Sequence, residues 1–191
     1  MTRTTVGLKI GSTGVKLVEL THQAGKCQLK SLGLAQLPFH ERGVDYAREE
    51  TLIAHTIRDL MQKYKVNKRC VVTAVGGGSV IIRRIKVPQM KPEELTQALK
   101  WEAEEYIPYP INEVTLAFHI LKSSLSEAGN QEMSLILVGA RNKVIHSHLK
   151  VIRQAGISPV VIDVSPFALF NVFDHFSSED KEGVALLEIS H

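Results

Sequence analysis

The sequence predicts an α/β fold in two parts, and two observations predict it. Residues 6–10, 15–21 and 27–35 read as three strands joined by glycine-containing turns at 11–14 and 22–26. A helical pattern at 49–64 and a short apolar strand at 71–75 follow this meander. The triple glycine at 76–78 then breaks the pattern. Beyond it a second unit runs in the order strand, helix, strand, strand, helix.

Each element has a local reason. Ile53, Ile57, Leu60, Met61 and Tyr64 fall on one face of the helix at 49–64. Val71 to Val75 is a short, mainly apolar run, as a strand buried on both sides gives. A meander, a helix and a returning strand are how ribonuclease-H-like and actin-like domains begin. Gly76-Gly77-Gly78-Ser79 lacks the Lys-Ser or Lys-Thr of a phosphate loop, so it reads as a junction. The strand at 80–87 ends at Pro88. Pro92 suits the first turn of the next helix, with Glu93 and Glu94 near its positive end. Leu95, Leu99, Ala103 and Tyr106 line one side of that helix, and Pro108 and Pro110 stop it near Ile107.

Clean alternation follows: Val114, Leu116, Phe118 and Ile120 face one way, Thr115, Ala117 and His119 the other. A polar loop at 123–131 leads into a second strand at 133–140. Asn142 is placed to cap a helix at 143–155, which Gly156 ends. Residues 160–164 and 184–189 read as strands returning to the first unit, with a short helix at 166–173 and a polar loop at 177–182 between them.

Composition narrows the function. A chain of 191 residues, 44% hydrophobic, has enough apolar surface for a real core. The net charge is only +3, and its 23 basic residues are dispersed; Arg83-Arg84 with Lys86, and Lys65 with Lys68-Arg69, are interrupted by apolar residues. That dispersal argues against a nucleic-acid groove. The N-terminus lacks a signal-peptide pattern and no apolar run approaches the ~20 residues of a membrane span, so a cytoplasmic protein is expected. Cys27 and Cys70 lack metal-ligand spacing. His146 and His148 diverge by about 200° around a helix of 3.6 residues per turn, which suits two ordinary helix histidines rather than a zinc site. Glu102 and Glu104 are two apart and share no helical face, so they are not paired catalytic acids. No catalytic or metal-ligating set is expected. Trp101 lies off the apolar stripe of its helix, either packed against the first unit or exposed to a partner; both readings stand.

One turn has the chemistry of an anion site. In Gly11-Ser12-Thr13-Gly14, the glycines allow several backbone N–H groups to converge, the hydroxyls add donors, and Lys16 brings a positive charge. The same residues also make a plain hairpin turn, and both readings stay open.

Two segments, Val6-Gly7-Leu8-Lys9-Ile10-Gly11-Ser12-Thr13-Gly14-Val15-Lys16 and Trp101-Glu102-Ala103-Glu104-Glu105-Tyr106-Ile107-Pro108-Tyr109-Pro110-Ile111-Asn112-Glu113-Val114, resemble the PilM family of type IV pilus assembly proteins. The family is similar in turn to the division protein FtsA. The resemblance implies an actin-like (ribonuclease-H-like) subdomain with an inserted small α/β subdomain as in FtsA. Residues 1–78 would open the actin-like part, 79–157 form the insertion and 158–191 return, with the second lobe missing. ATP with Mg²⁺ is the implied cofactor, and Gly11, Ser12, Thr13 and Lys16 the implied binding residues. In actin-like ATPases a carboxylate stands where this chain has Lys9, and an ammonium cannot ligate Mg²⁺. Glu188 aligns with the acid of a second phosphate motif, but Ser190 replaces its glycine. An active ATPase is therefore not expected. Asp163 is either an acid of the phosphate cleft or a strand-end residue bonded to a neighbouring turn.

The family also implies a role. It is that of a cytoplasmic scaffold, peripheral at the inner membrane, that holds the N-terminal cytoplasmic segment of a PilN-like membrane protein and links it to the pilus assembly motor. The expected groove is walled by the strand 80–87, the helix 92–107 and the strand 160–164, with Arg84, Trp101 and Tyr106 as candidate contacts. The alternatives are a nucleotide-dependent switch and an FtsA-like division adaptor. Homo-oligomers through the inserted subdomain are compatible with the resemblance. A ribonuclease-H-like nuclease or a sugar kinase is opposed by Lys9, since both need an acid early in the chain.

Overall fold

Alternation along the first hairpin sets up the first sheet. Strands β1 (Arg3–Ile10) and β2 (Gly14–Gln23) pair antiparallel, with Leu8 opposite Leu17 and Lys9 opposite Lys16. Val6, Leu8, Val15 and Leu17 are buried on one face, and the lysines point to the other. The computed structural model describes residues 3–37, 46–125, 131–177 and 184–188. The chain divides into two compact units, Met1–Val75 with Ser147–His191, and Gly76–His146.

In the first unit β3 (Lys26–Gln36) extends the hairpin, while β4 (Val71–Val75) and β8 (Val161–Val164) add parallel strands. The sheet order is β3-β2-β1-β4-β8. Ala24 and Gly25 both take positive φ in the two-residue turn between β2 and β3, matching the twist of the hairpin. Helix α1 (Tyr46–Lys63) lays Ala54, Ile57, Leu60 and Met61 on the buried face. The glutamate at position 19 is also buried there. Its carboxylate accepts hydrogen bonds from Lys30 Nζ at 3.1 Å and Ser31 Oγ at 3.2 Å, so the charge is paired.

Helix α3 (Asn142–Gln154), assigned to the insertion by its sequence position, brings Val151 and Ile152 into the core of the first unit, with Ala155 and Ile157 just beyond it. It ends where Gly156, at φ +77°, turns left-handed. There the Gly156 N–H reaches the Arg153 carbonyl and the Ile157 N–H reaches the Ile152 carbonyl, closing a Schellman cap. Arg58 of α1 donates to the Gln154 carbonyl at 2.9 Å, and Lys150 pairs with Glu50 at 2.6 Å, tying α3 to α1. Asn142 does not act as the expected N-cap. It is the first helical residue, and its amide bridges Thr115 Oγ1 and the Asn112 carbonyl instead. Helix α4 (Ser165–Phe176) follows β8 directly and is longer than the 166–173 expected. Residues 184–188, expected as a strand, have no regular structure. The expected polar loops fall mainly on 126–130 and 178–182, and with Ile189 and Ser190 these lie outside the described residues.

The second unit is an antiparallel sheet, β5-β7-β6, made of β5 (Val80–Pro88), β6 (Val114–Leu125) and β7 (Gln131–Arg141). Helix α2 (Pro92–Tyr106) packs Leu95, Leu99 and Ala103 against Ile85, Val87, Leu135 and Leu137. The Glu94 carboxylate accepts the Lys91 N–H, which supports the helix start that Pro92 sets.

A buried polar contact ties α3 to the first sheet. Thr73 Oγ1 donates to the Leu8 carbonyl at 2.9 Å and lies 2.7 Å from His148 Nε2. With its one proton given to Leu8, the hydroxyl accepts from the ring, so His148 carries its proton on Nε2. Burial lowers the His148 pKa below its ordinary 6.5. The folded chain therefore binds fewer protons than the unfolded chain just below pH 6.5, and stability falls as the pH drops through that value. The loss levels off once the pH passes below the lowered pKa. In urea titrations the unfolding midpoint should decline from pH 7.5 to about pH 5.5, and His148→Gln, which still donates to Thr73, should flatten that decline. Equal slopes in both proteins would show that His148 is not the titrating group.

Candidate functional site

The face of the first sheet opposite its core carries the site. Because Lys9 and Lys16 are register partners, both ammonium groups rise from the same patch, beside Gly7 and Val18. Val72 and Ala74 of β4 continue the floor, and Leu169 and Val172 of α4 form a wall. Together with Asp163 and Glu188 they enclose a cavity of about 470 Å³. Its lining is mainly apolar, with Lys9, Lys16, Asp163 and Glu188 as the charged members.

Those charges are arranged in pairs and turns. Lys9 Nζ forms an ion pair with the Glu188 carboxylate. Asp163 Oδ1 accepts the Val164 N–H of its own strand at 2.8 Å, and the residue lines the cavity. Ser165 Oγ makes a long contact, 3.4 Å, to the Val75 carbonyl. The Lys16 side chain is exposed.

Of the expected anion-binding residues, only Lys16 lines this cavity. The Gly11 N–H is occupied by the Gly14 carbonyl at 2.9 Å, and the Thr13 carbonyl accepts from Leu37 at 2.8 Å. Ser12 and Thr13 are exposed and outside the cavity lining. Gly14 serves packing: a Cβ there would stand 2.7 Å from the Ala35 carbonyl oxygen of β3. The structure thus presents the turn as a tight hairpin. The pairing of Lys9 with Glu188 leaves no local signal in the sequence, since the two are 179 residues apart.

The residues present do not fit Mg²⁺. A divalent ion ~4 Å from the Lys9 ammonium would be repelled by about 8 kcal/mol, doubling the unit-charge value at an effective dielectric of 20. Glu188 already has a cation, and Asp163 alone cannot build an oxygen cage. Among the described residues no group of three His, Cys, Asp or Glu is placed to hold a metal. Of the two lysines, Lys9 is held by Glu188, while the Lys16 side chain is exposed.

The three expected partner contacts, all in the second unit, do not share a surface. Trp101 stands on the outer side of α2 with 77% of its surface exposed. Tyr106, five residues on and so about 140° around the helix, packs against the core of that unit. The neighbouring Glu105 carboxylate raises the Tyr106 pKa above 10.0, with burial and Glu102 adding to the effect. Arg84 alternates with the buried Ile85 on β5, so it lies on the sheet face away from α2. There its Nε donates to Ser134 Oγ at 3.1 Å.

Other exposed apolar residues were not singled out by sequence. Leu32 and Leu34 of β3, opposite Val18 and Lys16, extend the cavity-side face, and Phe170 and Phe176 of α4 are exposed as well. Alternation would have found the first two, had the strand not read as an ordinary meander member. Among the described residues no helix is long and apolar enough to cross a membrane.

The family described as type IV pilus assembly protein PilM matches residues 7–191. Among solved structures, the chain is similar to a chain of a PilM–PilN type IV pilus biogenesis complex, with 36% identity and a TM-score of 0.73, covering 90% of this chain and 50% of that one. It is also similar to the cytoplasmic domain of EpsL, an inner membrane component of the type II secretion system of Vibrio cholerae, at 13% identity and a TM-score of 0.51, covering 84% of this chain and 57% of that one. The second likeness shows the fold alone. The chain spans about half the length of these solved chains. The fold class is thus α/β and actin-like.

Gly14 tests how closely β3 packs on the turn. Gly14→Ala should lower the stability of the chain by about 1–3 kcal/mol, because the methyl meets a backbone oxygen that cannot swing aside. Urea denaturation checks this. An unchanged midpoint would show that β3 does not close on the turn as described.

Proposed function

We propose, from the premise that the chain belongs to the PilM family of type IV pilus assembly proteins, that it is an actin-like scaffold holding a PilN-like partner. The observation that carries this reading is the 36% identity to a chain of a PilM–PilN complex over 90% of this chain. The partner contributes a short N-terminal cytoplasmic segment, and through it the scaffold associates with the inner membrane and the assembly motor. Binding of a peptide by apolar contacts and main-chain hydrogen bonds needs no chemistry beyond an exposed, ordered surface. Trp101 supports that mode: a large aromatic ring, exposed on a helix, in one of the segments that resemble the family. Arg84 and Tyr106 stand as secondary contacts on other faces of the same unit. Self-association of the scaffold is compatible with this role.

A second reading, a nucleotide-dependent switch, is favoured by Lys16 in the cavity lining and opposed by Lys9, which stands in place of a metal-organising acid and pairs with Glu188. Under it, ATP would alter partner affinity. An FtsA-like division adaptor has no observation of its own here.

The test is isothermal titration of the chain with a synthetic peptide copying the partner's N-terminal cytoplasmic segment. Saturable binding, weakened at least about tenfold by Trp101→Ala, is the expected result. Absence of binding, or affinity indifferent to Trp101, would remove the scaffold reading in this form. Repeating the titration with ATP present addresses the switch: unchanged affinity eliminates it.

A further inference from the structure

We infer that Lys9 is a tethered cation that takes the place of a divalent metal in the cavity of the first unit, and that its pair with Glu188 keeps Mg²⁺ out. Three features of the cavity support this. The β1–β2 register fixes Lys9 beside Lys16, so two positive charges face the same space. Glu188, the carboxylate a metal would recruit, already has the Lys9 ammonium as its counter-ion. Asp163 is the remaining acid of the lining, and one of its oxygens is engaged by the Val164 amide. Lys9, Lys16, Asp163 and Glu188 sum to zero formal charge, so the lining carries no net negative charge to draw in a cation.

The consequence lies in charge inversion. Lys9→Asp removes one ammonium, adds one carboxylate and releases Glu188, changing the local sum from zero to minus two. Oxygen donors would then converge from β1, β8 and the 184–188 segment, a set of the type hard divalent cations take. Lys9→Met removes the cation without supplying a donor and separates the two contributions. The inference is independent of the partner reading, since peptide binding neither requires nor excludes a metal.

Manganese alone is the probe, because bound Mn²⁺ broadens nearby amide resonances and raises water proton relaxation. Titrated into the chain at millimolar concentration, Mn²⁺ should leave the resonances around Asp163 and Glu188 sharp. Lys9→Asp should bind Mn²⁺ at least about tenfold more tightly than the unaltered chain, with broadening centred on those residues. Lys9→Met should fall between, and it keeps the idea testable if the aspartate variant does not fold. Localised broadening in the unaltered chain would overturn the inference. So would a folded Lys9→Asp protein, or in its place a folded Lys9→Met protein, with no gain in Mn²⁺ affinity.

Discussion

The register of the first hairpin is the constraint on which the first unit depends. Leu8 opposite Leu17 places both leucines under α1 and α3, and the same pairing places Lys9 opposite Lys16 on the other face. Because side chains alternate, a slip of one residue would send the lysines of one strand into the core and its leucines into the cavity. Core and site are therefore not separate achievements of the sequence. The glycine at 14 helps to hold the register by letting β3 close within 2.7 Å of where its Cβ would lie.

The rest of the unit reinforces that arrangement with paired polar groups. Thr73 joins β4 to the Leu8 carbonyl of β1 and receives the His148 ring from α3. Glu19 continues the buried row of β2 and is satisfied from β3. An unpaired carboxylate or imidazole at these depths would cost more than the pair contributes, so each contact specifies position as much as stability. The outcome is a sheet with one face fully used and the other carrying a cavity bordered by four charged residues, in a family of pilus assembly proteins.

The elements were largely legible because their patterns are local. Glycine-containing turns bounded β1 and β2, Pro88 ended β5, period-two alternation gave β6, and the one-sided apolar stripes gave α1 and α2, with Pro92 and Pro108 marking the ends of the latter. The failures are non-local. Asn142 has the chemistry of an N-cap, yet Thr115 and the Asn112 carbonyl compete for its amide. At the Gly11–Gly14 turn the glycines and hydroxyls suit an anion and a hairpin alike, and the Gly11 amide is bonded to the Gly14 carbonyl. No window of sequence shows that Lys9 meets Glu188, or that Arg84 and Trp101 fall on opposite sides of their sheet and helix.

The central claim is that this one register makes both the core and the charged cavity face. Cross-strand nuclear Overhauser effects along the hairpin test it most directly. The account predicts contacts between Lys9 and Lys16 and between Leu8 and Leu17, as opposed residues must show in an antiparallel pair. Contacts running from Lys9 to Leu17 instead would put a lysine of β1 against the core row of β2, and the account of the cavity would fail with it.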